Sequence, residues 1–277
     1  MFDLSRLYHP LTATPLGRQS YAEAVPCSEL KPWVRCFWYS QPAERPATLV
    51  IPDTCMDLMF IREGTQITCC FCALCDRTFA SVHQSRIIFA VRFYPWAAAL
   101  FANEPLTDTL NLSCDAHLFF PSLSRWLLRM LSQTEAFEER CRQAEAILCA
   151  HLERRHMAAD FGNAMHAIIQ SQGRHRVRET AQSVQLSTRQ LERLFECQTG
   201  ASPKKLTDMI RYQSLWHEAV FSPRFDVQDA VCRYGFTDQS HLLRQFKQYH
   251  SLTLTDALRY ARQHVAFIQY SQPASGV

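Results

Sequence analysis

A chain of 277 residues, 47% of them apolar, is long enough for two domains with buried cores, which excludes wholesale disorder. Net charge is only +3, but 15 Lys and Arg face 17 Asp and Glu over residues 1–173, whereas 14 face 9 over residues 174–277. A near-neutral front and a basic rear suit a nucleic-acid partner for the rear half.

Other classes drop out early. No apolar run approaches the ~18 residues of a membrane span, and the start, with Asp3 in place of a sustained apolar stretch, does not read as a secretory leader. The expectation is a soluble, cytoplasmic protein whose twelve cysteines are mostly reduced thiols. The seven glycines form neither GxGxxG nor GxxxxGK, so a phosphate-cradling loop is absent.

Residues 1–20 read as an irregular lead-in. Short apolar runs at 34–39, 48–51, 58–61, 66–71 and 87–93 are rich in β-branched and aromatic residues and separated by Pro42, Pro46, Pro52 and Gly64. They predict strands in a small β-rich unit. From Trp96 the pattern turns helical. Leu123, Trp126, Leu127, Met130 and Leu131, then Phe137, Cys141, Ala144, Leu148 and Leu152, recur at helical spacing, predicting two amphipathic helices within 121–153 whose apolar faces serve the domain core or a second copy of the chain. Residues 158–173, with Gly162 and Gly173, predict a junction that contains a short helix at 164–170.

Residues 174–262 predict two helix-turn-helix units joined by a long helix. In the first, Ala181 occupies a close helix crossing, and Ser187 with Gln190 forms a capping box that starts the next helix. Leu191, Leu194 and Phe195 face inward, leaving Thr188, Arg189, Glu192 and Arg193 outward. Ser202 and Pro203 open a helix that runs to about Phe221. Asp226 caps a further short helix, Gly235 ends it, and Thr237 or Asp238 opens the last outward helix, with Leu242 and Phe246 inward. The resulting class is α+β: an N-terminal β-rich sensory-type domain with flanking helices (1–157), the junction (158–173), an all-α domain (174–264) and a polar tail (265–277).

Leu191-Glu192-Arg193-Leu194-Phe195, Thr199-Gly200-Ala201-Ser202-Pro203 and Gly235-Phe236-Thr237-Asp238-Gln239-Ser240-His241-Leu242, with Arg244 and Phe246-Lys247, stand in order and at family spacing. In these marks the rear third resembles the DNA-binding domain of AraC/XylS-family transcription regulators. The resemblance implies two recognition helices in successive major-groove segments. It assigns base reading to Arg189, Glu192 and Arg193 on the first helix and to Gln239, Ser240, His241 and Arg244 on the second. Arg suits guanine, Gln suits adenine and Glu suits the cytosine amino group. Thr188, Lys204, Lys205 and Lys247 are expected on phosphates. The chain departs from the family pattern in three places. Gln185 stands where glycine is common, Val231 stands where alanine is usual, and the Gly-x-Ser/Thr-Pro run expected after Lys247 is replaced by 251–259, beginning Ser251-Leu252-Thr253-Leu254.

The front half, through Pro52-Asp53 and Arg92-Phe93-Tyr94-Pro95, resembles an N-terminal domain found on one branch of these regulators. Implied partners are double-stranded DNA, RNA polymerase if the chain is an activator, a small-molecule effector and a second copy of the chain. Trp38, Asp53, Asp57, His83 and Arg92 are candidates for an effector pocket. Cys70, Cys72 and Cys75, with Cys55, form a candidate thiol or metal sensor for Zn or Cu(I), set against the plainer reading of cysteine as a small buried apolar residue. A DNA-alkylation repair role needs a Pro-Cys-His-Arg acceptor; Pro26-Cys27-Ser28-Glu29 lacks the His and Arg. No HExxH, Ser-His-Asp order or carboxylate pair indicates an enzyme.

Overall fold

The computed structural model describes residues 3–12, 14–15, 20–42, 48–81, 86–153 and 155–266. In chain order the front half contains β1 (Thr14–Pro15), β2 (Tyr21–Ala24), β3 (Val34–Ser40), β4 (Thr48–Val50), β5 (Met56–Glu63), β6 (Gln66–Cys72), β7 (Phe79–Ser81), β8 (Ile87–Phe93), α1 (Ala98–Phe101), β9 (Ser113–Asp115), α2 (Pro121–Leu131) and α3 (Phe137–Leu152). The rear half contains α4 (Ala159–Gln170), α5 (Val177–Ser183), α6 (Thr188–Thr199), α7 (Pro203–Phe221), α8 (Val227–Arg233), α9 (Gln239–His250), α10 (Leu254–His264) and β10 (Val265–Ala266). The class is α+β, as the residue patterns indicate.

Among the described residues, β2-β3-β8-β5-β6-β9 form one antiparallel sheet, and β4 pairs with β7. Alternation along the strands sorts the six-stranded sheet into two unlike faces. Phe37, Leu58, Phe60, Phe71, Phe89, Val91 and Phe93 share one face and are fully buried against Phe101, Leu123, Leu127, Ala144 and Leu148 of the helices. Phe71 meets Phe120 edge-on at 4.8 Å, and Phe89 meets Phe137 at 6.2 Å. The two amphipathic helices of 121–153 therefore bury their stripes mainly in the domain's own core, although Trp126 remains 57% exposed.

The opposite face carries Trp38, Ile88, Ala90 and Cys36, together with a charged cluster. Arg92 donates through Nε and Nη2 to both carboxylate oxygens of Asp57, at 2.9 and 2.7 Å. Its Nη1 lies 3.7 Å from Asp53, and its guanidinium sits 5.6 Å over the Trp38 ring. Trp38 Nε1 donates to Asp57 Oδ1 at 3.2 Å. Burial pushes the Asp53 carboxyl up, against the pull of Arg92.

Two local readings change. The expected junction at 158–173 is filled by α4, a twelve-residue helix that starts at Ala159, not Ala164, and buries Phe161, Ala164, Met165, Ile168 and Ile169. Its apolar face repeats at helical spacing from Phe161, and Phe161 meets Phe195 of α6 edge-on at 5.2 Å. Gly162 does not break it, because Met157 packs where a Cβ would stand. The strands β2, β7 and β9 are four residues or fewer. They hold strand geometry through their pairing, which no local pattern reveals.

The second helical core gathers Met209, Tyr212, Leu215 and Trp216 of α7 with Ala230, Tyr234, Leu242, Phe246, Tyr249, Leu254 and Ala257. His250, only 2% exposed, stacks on Phe246 at 4.9 Å, and its Nδ1 pairs with Tyr212 Oη at 2.8 Å.

Asp57 should be the principal counter-charge of Arg92, because it is bidentate and Asp53 is not. Asp57→Asn is expected to lower unfolding stability by about 3 kcal/mol, the scale for breaking a buried pair. Asp53→Asn should cost less. Urea midpoints of the two variants check the order. Burial holds the His250 imidazole down, to about 4 from an ordinary 6.5, so the unfolded chain takes up a proton first. Stability is then complete above pH 6.5 and falls by roughly 3 kcal/mol as pH drops from 6.5 to 4. Thermal melts across that window are expected to show this slope, and His250→Gln should flatten it.

Candidate nucleic-acid interface

The first unit, α5–α6, is set by its turn. Ala181 is 2% exposed at the crossing, and Leu186 N–H donates back to Ala181 O at 2.9 Å. Gln185 carries φ +57, the left-handed conformation for which glycine is common at this place. That costs ~1 kcal/mol for a residue with a Cβ. The capping box closes as the residues predict: Gln190 N donates to Ser187 Oγ at 3.2 Å, and Ser187 N to Gln190 Oε1 at 2.9 Å. Leu191 and Phe195 are fully buried. With those two inward, Thr188, Arg189, Glu192 and Arg193 are exposed on the outer face.

The second unit repeats the plan. Asp226 Oδ1 accepts from Gln228 N and Asp229 N at 2.8 and 3.0 Å, capping α8. Gly235 takes φ +67, Phe236 turns into the core, and Asp238 Oδ1 caps α9 by accepting from His241 N at 2.8 Å. Gln239, Ser240, Arg244 and Lys247 are exposed along the outer face. After α9, Ser251 adopts φ +64 in place of the family glycine. Thr253 replaces the proline: its Oγ1 accepts from Asp256 N at 3.2 Å and donates to Asp256 Oδ2 at 2.6 Å, which starts α10.

Not every candidate stands free. Arg189, Arg193 and Arg244 make no ion pair with any described residue. His241 is half-buried. Its ring meets Phe236 edge-on at 5.4 Å, and its Nδ1 lies 3.3 Å from Thr237 Oγ1, so it supports the turn. Lys204 Nζ lies 2.7 and 2.8 Å from the Asp208 carboxylate. Lys205 is drawn away from the outer face altogether: its Nζ pairs with Asp76 Oδ2 at 2.5 Å, and Asn111 Nδ2 holds Asp76 from the other side at 3.0 Å. Sequence reading had no signal for Asp76, because the pair spans 129 positions.

The front half is docked on this domain by further bonds of the same kind. Gln213 of α7, 1% exposed, accepts from Leu11 N at 2.8 Å and donates to Pro52 O at 2.6 Å. Thr78 Oγ1 donates to Tyr249 O at 2.6 Å, and Leu106 N to Cys197 O at 2.9 Å. Gly200, φ +70, ends α6 where a Cβ would collide with Thr109 and Leu106.

The front-half candidates divide. Trp38, Asp53, Asp57 and Arg92 converge, but by pairing with one another; His83 lies outside the described residues. The four cysteines do not converge. Cys55 is buried beside Asp53, Cys75 Sγ donates to Arg77 O at 3.1 Å, and only Cys70 and Cys72 share a partner, Ser113. β6 ends at Cys72, and Cys75 lies three residues on with a partner of its own. Among the described residues no group of three or more His, Cys, Asp or Glu is placed to hold a metal ion. None of the described helices is long and apolar enough to cross a membrane.

Residues 22–115 match a domain of unknown function (DUF6597), and residues 180–260 match a helix-turn-helix domain. None of the curated proteins matches the chain. Among solved structures the chain is similar to ToxT from Vibrio cholerae, at 11% identity over 87% of this chain and 98% of that one, with a TM-score of 0.39. It is similar also to wild-type ToxT with unsaturated fatty acid bound, at 13% identity over 91% of each chain, with a TM-score of 0.38. Likenesses this loose carry no inference about what the present chain binds. The helix-turn-helix match falls on the stretch where the paired units, their caps and their exposed arginines have been located, and it identifies residues 180–260 as an AraC-type helix-turn-helix domain, the mark of a DNA-binding transcription regulator.

Proposed function

We propose that the chain is a sequence-specific transcription regulator that places α6 and α9 in successive major-groove segments on one face of double-stranded DNA. The observation that carries this reading is that two outward, capped helices both pack on α7, α6 through the core shared by Leu191, Phe195, Leu206 and Ile210 and α9 through Phe246 and Tyr249 on Tyr212. Arg189, Glu192 and Arg193 read bases from α6, and Gln239, Ser240 and Arg244 from α9, with His241 a lesser contributor because its ring is engaged. Thr188, Lys204 and Lys247 contact phosphates. Lys205 joins them only if Asp76 releases it.

The working division is 1–157 for the effector and pairing domain and 174–264 for DNA binding, with α4 joined to the latter by its Phe161–Phe195 contact. A small molecule bound by the N-terminal domain modulates DNA binding, with Trp38, Asp57 and Arg92 on the sheet face away from the helices as its lining. In this reading the protein acts in the cytoplasm as an activator that touches RNA polymerase, pairs through the α2–α3 region, and carries no catalytic step.

Binding of the full chain to sites recovered by genome-wide mapping tests the assignment. Arg193→Ala is expected to lose ~1–3 kcal/mol of discrimination between operator and random DNA. Lys247→Ala should weaken both alike and reduce the salt slope by about one. Wild-type behaviour from both variants would remove α6 and α9 from the DNA.

A further inference from the structure

Pro26-Cys27-Ser28-Glu29 lacks the His and Arg of an alkyl acceptor, but Cys27 does not stand alone. Its Sγ lies 3.8 Å from that of Cys149, 122 positions away on α3, and both residues are half-buried. Two sulfurs at that distance are in contact, and less than about 2 Å of approach separates them from a disulfide bond.

The backbone prepares that approach. Cys27 N donates to Glu145 Oε1 at 2.6 Å. Glu145 and Cys149 are four apart on α3, so their side chains leave the helix on one face. The helix thus grips Cys27 at two points, by its amide and by its sulfur. The turn is also held from within: Cys27 O accepts from Leu30 N and Lys31 N, each at 3.1 Å, and Leu30 is fully buried. Burial first, and then the bond to Cys27, push the Cys149 thiol up to about 12, with Glu29 and Glu145 adding to the push. Cys149 is therefore a protonated partner at neutral pH. The same two carboxylates disfavour an anionic reagent at the pair.

We propose that Cys27 and Cys149 are a reversible disulfide pair, closed by a small neutral oxidant of the hydroperoxide class and reopened by thiols, with Glu145 as the positioning residue. With hydrogen peroxide, the Cys27 sulfur attacks one oxygen. An S–O bond forms as the O–O bond breaks, and the departing oxygen leaves as water with the Cys27 proton. Cys27 is then a sulfenic acid. The Cys149 sulfur attacks the Cys27 sulfur, the S–O bond breaks, and the hydroxyl leaves with the Cys149 proton as a second water. The two thiols lose two electrons and the peroxide takes them. The bond ties the turn that leads into β3 onto α3. The site goes beyond the DNA-binding reading and stands or falls separately from it.

The full-length protein, freshly reduced, is exposed to hydrogen peroxide with and without dimedone, which traps sulfenic acids. It is then alkylated, and the monomer band of a non-reducing gel is digested with trypsin. Cleavage gives residues 19–35 and 143–154, each with a single cysteine. A linked pair of these peptides is expected, with both thiols lost one for one and both returned by dithiothreitol. Cys149→Ala should raise the dimedone adduct at Cys27 at least about tenfold, because a thiol already in place outcompetes a free trap. Glu145→Ala should shift the partition from link towards adduct, and Glu145→Gln, whose amide oxygen still accepts from Cys27 N, should restore it. That ratio is independent of how fast peroxide reaches Cys27. Glutathione disulfide, bulky and anionic, should form the link more slowly than peroxide at equal concentration. The proposal is overturned by no linked peptide at a dose that has already oxidised the exposed Cys232, by a link found only between two chains, or by an unchanged Cys27 adduct in Cys149→Ala. A wild-type partition in Glu145→Ala removes the positioning role, and faster closure with glutathione disulfide removes the oxidant class.

Discussion

Helix α7 has almost no face of its own. Leu206 and Ile210 belong to the core that holds the β-sheet and the first helix-turn-helix unit, whereas Met209, Tyr212, Leu215 and Trp216 belong to the core of the second. Gln213 stands at the seam, and its amide bonds backbone groups from two separate places in the front half, Leu11 and Pro52. A buried amide left without such partners costs ~1–3 kcal/mol. The position of α7 is therefore fixed jointly by three bodies of the protein. Both recognition helices inherit their placement from it.

That shared helix changes how the halves relate. The first helix-turn-helix unit does not hang from the N-terminal domain by a linker, because α4 and Phe195 pack into a core continuous with the sheet domain. Beside the Gln213 bonds stand three further specific polar contacts between the halves: Lys205 to Asp76, Thr78 to the Tyr249 carbonyl, Leu106 to the Cys197 carbonyl. Two of the three meet the DNA-binding domain at a helix end, Cys197 in the last turn of α6 and Lys205 in the first of α7, and Tyr249 stands beside the end of α9. A change in the N-terminal domain would thus be felt first where α6 and α9 stop and α7 begins.

The rear half was legible because its information is local. Ser187 with Gln190, Ser202 with Pro203, Asp226 and Gly235 each act within a few residues, and each appears where the spacing puts it. The places where glycine and proline are missing proved harmless for equally local reasons: Gln185 and Ser251 accept the left-handed backbone, and Thr253 caps in place of proline. In the front half the long strands were visible by their apolar runs, but β2, β7 and β9 owe their form to distant pairing. Of the grouped cysteines, the pleat of β6 and its pairing with β9 bring Cys70 and Cys72 to Ser113, whereas Cys55 and Cys75 have other neighbours. Gln213 and Asp76 carried no signal at all, since their partners lie 161 to 202 and 129 positions away.

A helix clamped along both flanks cannot stretch or swivel. In the proposed reading the angle and separation between α6 and α9 are set by their packing on α7, and the duplex meets them in helical phase. One base pair inserted between the two contacted segments turns one of them by about 35° around the axis, a rotation that α7 cannot follow without tearing either core. A regulator of the proposed kind should thus be intolerant of altered spacing, with its target sites defined by phase as well as by letters.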